Sequence, residues 1–156
     1  MVSIQDVAKF FINKSQTAGF PITHLKLQKL CYYAQAWNLT LSNDHNPLFR
    51  NEFQAWVHGP VNPDLYREFK HYGWNSIEKK YADVKFQPNE LWILNEVWKV
   101  YGHLDAKFLE TLTHNETPWL NARKGLPEGM PSERLINEGD MLDYYGSLIK
   151  KKPVHA

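Results

Sequence analysis

Apolar side chains recur at helical spacing along most of the chain, and polar breakers divide them into short blocks. Ser3 followed by Asp6 reads as a near capping box, in which a hydroxyl caps unpaired N–H groups and an acid favours the positive end of a helix. Val7, Phe10 and Phe11 then predict a helix over residues 4 to 15, ended by Gly19 and Pro21. Thr23 is the next candidate N-cap. The signal is strongest from His24 to Leu41. Leu27, Leu30, Cys31, Ala34, Trp37 and Leu41 form one stripe, while Leu25, Tyr32, Ala36 and Leu39 add apolar groups on other sides. A helix that is apolar on most sides belongs in the centre of a domain. Lys26, Lys29 and Tyr33, at i, i+3 and i+7, leave it one narrow polar face.

Residues 42 to 47 are turn chemistry. Phe53, Ala55 and Val57 then alternate with Gln54 and Trp56, which predicts a short strand or small β-hairpin near residues 48 to 57, with His58-Gly59-Pro60-Val61 as the turn after it. Asn62 and Pro63 suit an N-cap and first helical position, and Gly73 ends that helix. Residues 74 to 86 read as a loop. Helices follow over residues 88 to 101, stopped by Gly102, and from the Asp105 cap to His114 with Phe108, Leu109 and Leu112 facing inward. Thr117-Pro118 opens a short helix bearing Trp119, and residues 126 to 131 form a Pro/Gly loop. Asn137 and Asp140 cap a last helix, with Lys150, Lys151 and Lys152 at its negative end. The fold class is therefore mostly α: one domain of 156 residues around the helix of residues 24 to 41.

Composition narrows the function more than the fold. There are 18 Lys and Arg against 17 Asp and Glu, a net charge of +1 that argues against nucleic-acid binding through general electrostatics. A single cysteine excludes an internal disulfide and a Cys-rich zinc site. The early charges Asp6, Lys9 and Lys14 interrupt any signal-peptide core, and no apolar run approaches the ~20 residues of a membrane span, so the expectation is a soluble cytoplasmic protein. The aromatic count is high, at 6 Trp, 8 Tyr and 8 Phe, and could serve the core, an interface or both.

Catalytic patterns are missing. No histidine pair has metal-ligand spacing on a helix, no glycine-rich phosphate loop is present, and Cys31 sits in an apolar stripe as a packing residue. No cofactor or metal is expected. Two segments remain unusual. In residues 25 to 36 two lysines, Lys26 and Lys29, share a face with Tyr33, a combination suited to recognising acidic or carbonyl groups. The bland alternative is that the lysines snorkel and Tyr33 packs. In residues 55 to 61 Gly59 and Pro60 fix a tight turn and Trp56 and His58 share a face of the predicted strand, an arrangement that would serve equally as a structural corner.

"LKLQKLCYYAQAW", "AWVHGPVNPDLYREFKHYG" and "LTHNETPW" together resemble the SocA-like antitoxin family, also called the Panacea domain and related to phage-associated GepA proteins. The matching positions are Lys26, Leu27, Lys29, Leu30, Tyr32 and Tyr33, then Ala55, Trp56, Gly59, Pro60 and Val61. Tyr66, Phe69 and Lys70 follow, and finally Thr113, His114, Pro118 and Trp119. The resemblance spans residues 5 to 120. His58 departs from it, standing where the family often has an aromatic such as Tyr.

The resemblance implies an antitoxin, not an enzyme: a module that binds and neutralises a protein toxin encoded by an adjacent gene. Members pair with unrelated toxins, and this chain has no spare length for the DNA-binding domain that some carry. The expected partner-binding residues are Lys26, Lys29, Tyr33, Trp56, His58, Gly59, Pro60 and Tyr66. Two alternatives stand beside it. One is a phage or prophage protein that binds a host factor. The other is an enzyme using His58 as acid or base with Lys26 and Lys29 holding an anion.

Overall fold

The computed structural model describes residues 1–150. In chain order it contains α1 (Ile4–Ala18), α2 (His24–Leu41), β1 (Gln54–Trp56), β2 (Gly59–Val61) and α3 (Pro63–Phe69), which ends in a 3-10 turn at Lys70–Tyr72. α4 (Pro88–Tyr101), α5 (Ala106–His114), α6 (Thr117–Arg123) and α7 (Glu138–Lys150) complete it. The predicted cap chemistry is in place. Ser3 and Asp6 form a reciprocal capping box, Thr23 accepts from Lys26 N–H, Asn62 from Leu65 N–H, and Asp105 from Phe108 N–H. α1 runs past the predicted end to Ala18, where Gly19 closes it in the left-handed region at φ 75°. Lys150 lies in the last turn of α7, whereas Lys151 and Lys152 fall outside the described residues.

α2 is the axis of the molecule. It packs against α1, α3, α4, α5, α7 and β2, so no side of it is left for solvent over most of its length. Leu27, Leu30, Cys31 and Ala34 of its stripe are buried, Cys31 completely, and Tyr32 and Tyr33 with them, while Trp37 is partly buried and Leu41 at the end of the helix is exposed. Lys26 and Lys29 are buried as well, which removes the exposed polar face expected for them and Tyr33. The reason is geometric: a helix enclosed on all sides has no wet face, so its polar groups must find partners inside the protein.

The hairpin exists but lies further along than predicted. β1 pairs antiparallel with β2 in the register Gln54–Val61, Ala55–Pro60 and Trp56–Gly59, so residues 59 to 61 are the return strand and only Val57 and His58 turn. Residues 48 to 53 form no strand because their backbone is bonded elsewhere. Gln35 binds Leu48 N–H and Phe49 C=O, and Phe53 C=O accepts from Ile136 N–H. Phe108 also departs from expectation. It is exposed, because α5 turns Leu109 and Thr113 inward, and Phe108 sits about 100° off that face. Among the described residues no helix is long and apolar enough to cross a membrane.

Candidate partner-binding site

Lys29 and Thr113 reach the hairpin turn at Gly59 and Pro60. Lys29 Nζ donates to Pro60 O at 3.3 Å. Gly59 has φ +105°, and a Cβ there would stand 2.7 Å from Lys29 Cε and 2.8 Å from Thr113 Oγ1. Glycine is thus needed twice, for the left-handed backbone and for the close passage of the lysine. Burial pulls the Lys29 ammonium down to about 7, with Glu110 opposing the shift. Gln28 clamps the strand exit by donating to Asn62 O at 3.1 Å and accepting from Asn62 N–H at 2.8 Å.

Other buried side chains hold the hairpin from the opposite flank. Trp119 Nε1 donates to Trp56 O at 2.8 Å, and Arg123 Nη1 donates to Ala55 O at 2.9 Å. Arg123 also donates to Pro127 O and Glu128 O, while its guanidinium lies over the Trp119 ring at 4.7 Å. Ala55 N–H donates to Arg134 O at 2.8 Å, adding a third chain segment beside β1. A hairpin of two three-residue strands is marginal alone. Here its backbone is fixed by three separate chain segments, α2, α6 and the stretch at Arg134.

Lys26 and Tyr33 work away from the hairpin. Lys26 Nζ donates to Gly102 O at 2.5 Å and Pro21 O at 3.3 Å, capping the end of α4, and burial lowers its pKa. Tyr33 Oη donates to Glu116 Oε1 at 2.8 Å, and the Tyr33 ring stacks on Tyr101 with centroids 4.0 Å apart. Glu116 Oε1 also accepts from Tyr145 Oη at 2.7 Å, and Tyr145 Oη lies 3.2 Å from Tyr32 Oη. Burial raises the Glu116 carboxyl to about 7 despite these two hydrogen bonds.

What reaches solvent is a different subset. Trp56 and Tyr66 are half-buried with ring centroids 4.9 Å apart, and Lys70 Nζ lies 6.0 Å from the Tyr66 ring centroid. His58 projects from the turn with its side chain 59% exposed and its Nδ1 3.1 Å from Glu110 Oε1. Burial would raise the Glu110 carboxyl, but the His58 hydrogen bond and Lys107 outweigh it and leave the pKa lowered. A polar cleft lined by Glu110, His114 and Glu128 adjoins, with His114 Nδ1 3.0 Å from Glu128 Oε1. Gly59 and Pro60 are buried and shape the turn from within.

Of the eight expected residues, Trp56, His58 and Tyr66 are thus accessible, and the other five lie beneath or away from them. An anion-binding arrangement of His58 with Lys26 and Lys29 is not assembled. Both lysines direct their ammonium groups to backbone carbonyls inside the fold, and Lys26 does so at the far end of α4. Glu110, Glu116, Gln28 and Arg123 were not singled out from the sequence. Glu116 stands within the motif "LTHNETPW", and the only hint of its role is an acid beside a helix-starting Thr-Pro.

Residues 27–120 match the family described as antitoxin SocA-like, Panacea domain. Antitoxin SocA of Caulobacter vibrioides (strain NA1000 / CB15N) is 38% identical over 68 residues, which cover 44% of this chain and 35% of that protein. The matched part therefore spans about a third of the length of that curated relative. No solved structure matches significantly. The matched region contains most of α2, the hairpin, α3, α4, α5 and the start of α6, and on that evidence the chain belongs to the SocA-like, Panacea-domain antitoxin family.

Proposed function

We propose that this antitoxin neutralises a protein toxin, encoded by an adjacent gene, through direct stoichiometric contact. The observation that supports this most is the family match over residues 27–120, which includes the hairpin and Lys29, the lysine that braces it. Trp56, His58 and Tyr66 form the contact surface, and Gly59 and Pro60 set its shape. Lys29 supports it from beneath, while Lys26 braces the end of α4 and Tyr33 ties α2 to Glu116. Two adjacent aromatic rings are the residue types that dominate binding energies, and His58, Glu110 and Lys70 supply a polar rim around them. A surface whose backbone is already fixed loses little entropy on binding, which favours tight masking of a partner.

Growth assays test the reading. The neighbouring gene's product, expressed alone, arrests growth, and co-expression of this chain restores it. The Trp56→Ala/Tyr66→Ala double variant accumulates to the same level and does not restore growth. If the unaltered chain also fails against that product, the antitoxin assignment for this pair is wrong. If the double variant rescues fully, the toxin is held elsewhere.

A further inference from the structure

A second surface, away from the hairpin, is mostly apolar. A groove of about 430 Å³ runs between the C-terminal part of α2, the outer face of α4 and the end of α7. Buried Ile93 and Val97 lie at its base. Leu41, Trp92, Val100 and Ile149 stand along it with 43%, 53%, 55% and 41% of their surface exposed. Scattered exposed apolar residues need no explanation, but four bulky ones along one channel mark an interaction site. The groove continues into a second depression of about 400 Å³, which shares Leu41, Trp92 and Ile93 and reaches Asp44.

The shape selects a helix. α4 offers Asn89, Trp92, Ile93, Glu96 and Val100 to the joined channel, a run of about 16 Å at 1.5 Å per residue, or about three helical turns. Apart from the turn at residues 42 to 44 the channel walls are helices, and the channel offers no strand edge, so an extended strand would bury bare N–H and C=O groups. A helix brings its backbone satisfied and can seat residues at i, i+3, i+4 and i+7. The charge selects its sign. Glu96 and Asp44 line the joined channel, and among the described residues no Lys, Arg or His does. Lys99 comes within 3.8 Å of Glu96, but its side chain is 77% exposed and the pair is a weak one.

We propose that this channel is a docking site for a cationic amphipathic helix of a partner protein, with an apolar stripe on Trp92 and Val100 and flanking Lys or Arg on Glu96 and Asp44. The site is independent of the hairpin contact and stands or falls separately from it.

The test uses the full chain and two dye-labelled synthetic peptides of about fourteen residues, one of leucine and lysine and one of leucine and glutamate with the same apolar spacing. In fluorescence anisotropy the lysine peptide binds saturably and about tenfold tighter than the glutamate peptide, the effect expected of two exposed acids. Glu96→Lys narrows or reverses the preference, and Trp92→Ala weakens the lysine peptide while leaving the thermal midpoint near that of the parent. Equal binding of the two peptides overturns the proposal, as does an affinity that neither variant changes. A concentration-dependent dimer dissolved by Trp92→Ala also overturns it, because a second copy would then be the occupant.

Discussion

At Gly59 backbone and packing impose the same residue. The φ of +105° penalises any side chain, and the space where a Cβ would stand is taken by Lys29 and Thr113. Gly59→Ala is expected to cost about 2 kcal/mol or more, lowering the thermal midpoint by about 4–8 °C. Differential scanning calorimetry reads this directly, and an unchanged midpoint would mean that the turn relaxes freely. Lys29 gives a second, pH-dependent signature. Its pKa falls from the ordinary 10.5 to about 7 in the fold. Between these values the unfolded chain holds the proton and the folded chain does not, so this residue's share of stability rises with pH from about 7 to 10.5. Lys29→Met is expected to flatten that rise in urea melts taken across the window. A sequence reader sees the lysine but not its enclosure. Lys26 and Lys29 look like surface residues by type, and only the crowding of α2 on all sides turns them into internal donors.

Among the elements, α2 acts as a template for irregular backbone. Gln28, Lys29 and Gln35 donate to carbonyls in residues 49 to 62, a stretch with too little regular structure to satisfy itself. Much of this element's role was legible, because apolar residues on most of its sides already required a central position. Its polar partners were not, since the acceptors are main-chain atoms with no residue type to read. The hairpin shows the same limit. Alternation around residues 53 to 57 marked the strand, but the positions of pairing depend on which backbone groups α2 had already engaged. Tyr33 joins α2 to α6 and α7 through Glu116, whose carboxyl is raised by burial from the ordinary 4.5 to about 7. The folded chain holds that proton where the unfolded chain has lost it, so the contribution of Glu116 to stability falls as pH rises from about 4.5 to 7. Glu116→Gln is expected to remove this decline. A variant whose melts keep the same slope as the parent would show that the carboxyl is not the group responsible.

The whole molecule carries two distinct faces on one core. The braced hairpin edge presents Trp56, His58 and Tyr66, and the α4 channel presents Trp92 and Val100. The aromatic richness of the sequence divides accordingly. Phe11, Tyr32, Tyr33, Phe49, Phe53 and Tyr145 are buried in the core, while a minority of the rings reaches solvent. A net charge near zero agrees with partners recognised by local patches rather than by an overall field. The central claim is that the hairpin edge holds a toxin by direct contact. Isothermal titration of the purified chain with the adjacent gene's product is its most direct test. One-to-one binding is expected, weakened about a hundredfold or more in the folded Trp56→Ala/Tyr66→Ala variant, as befits two hot-spot aromatics. Absence of binding by the unaltered chain, or equal affinity in the double variant, would contradict it.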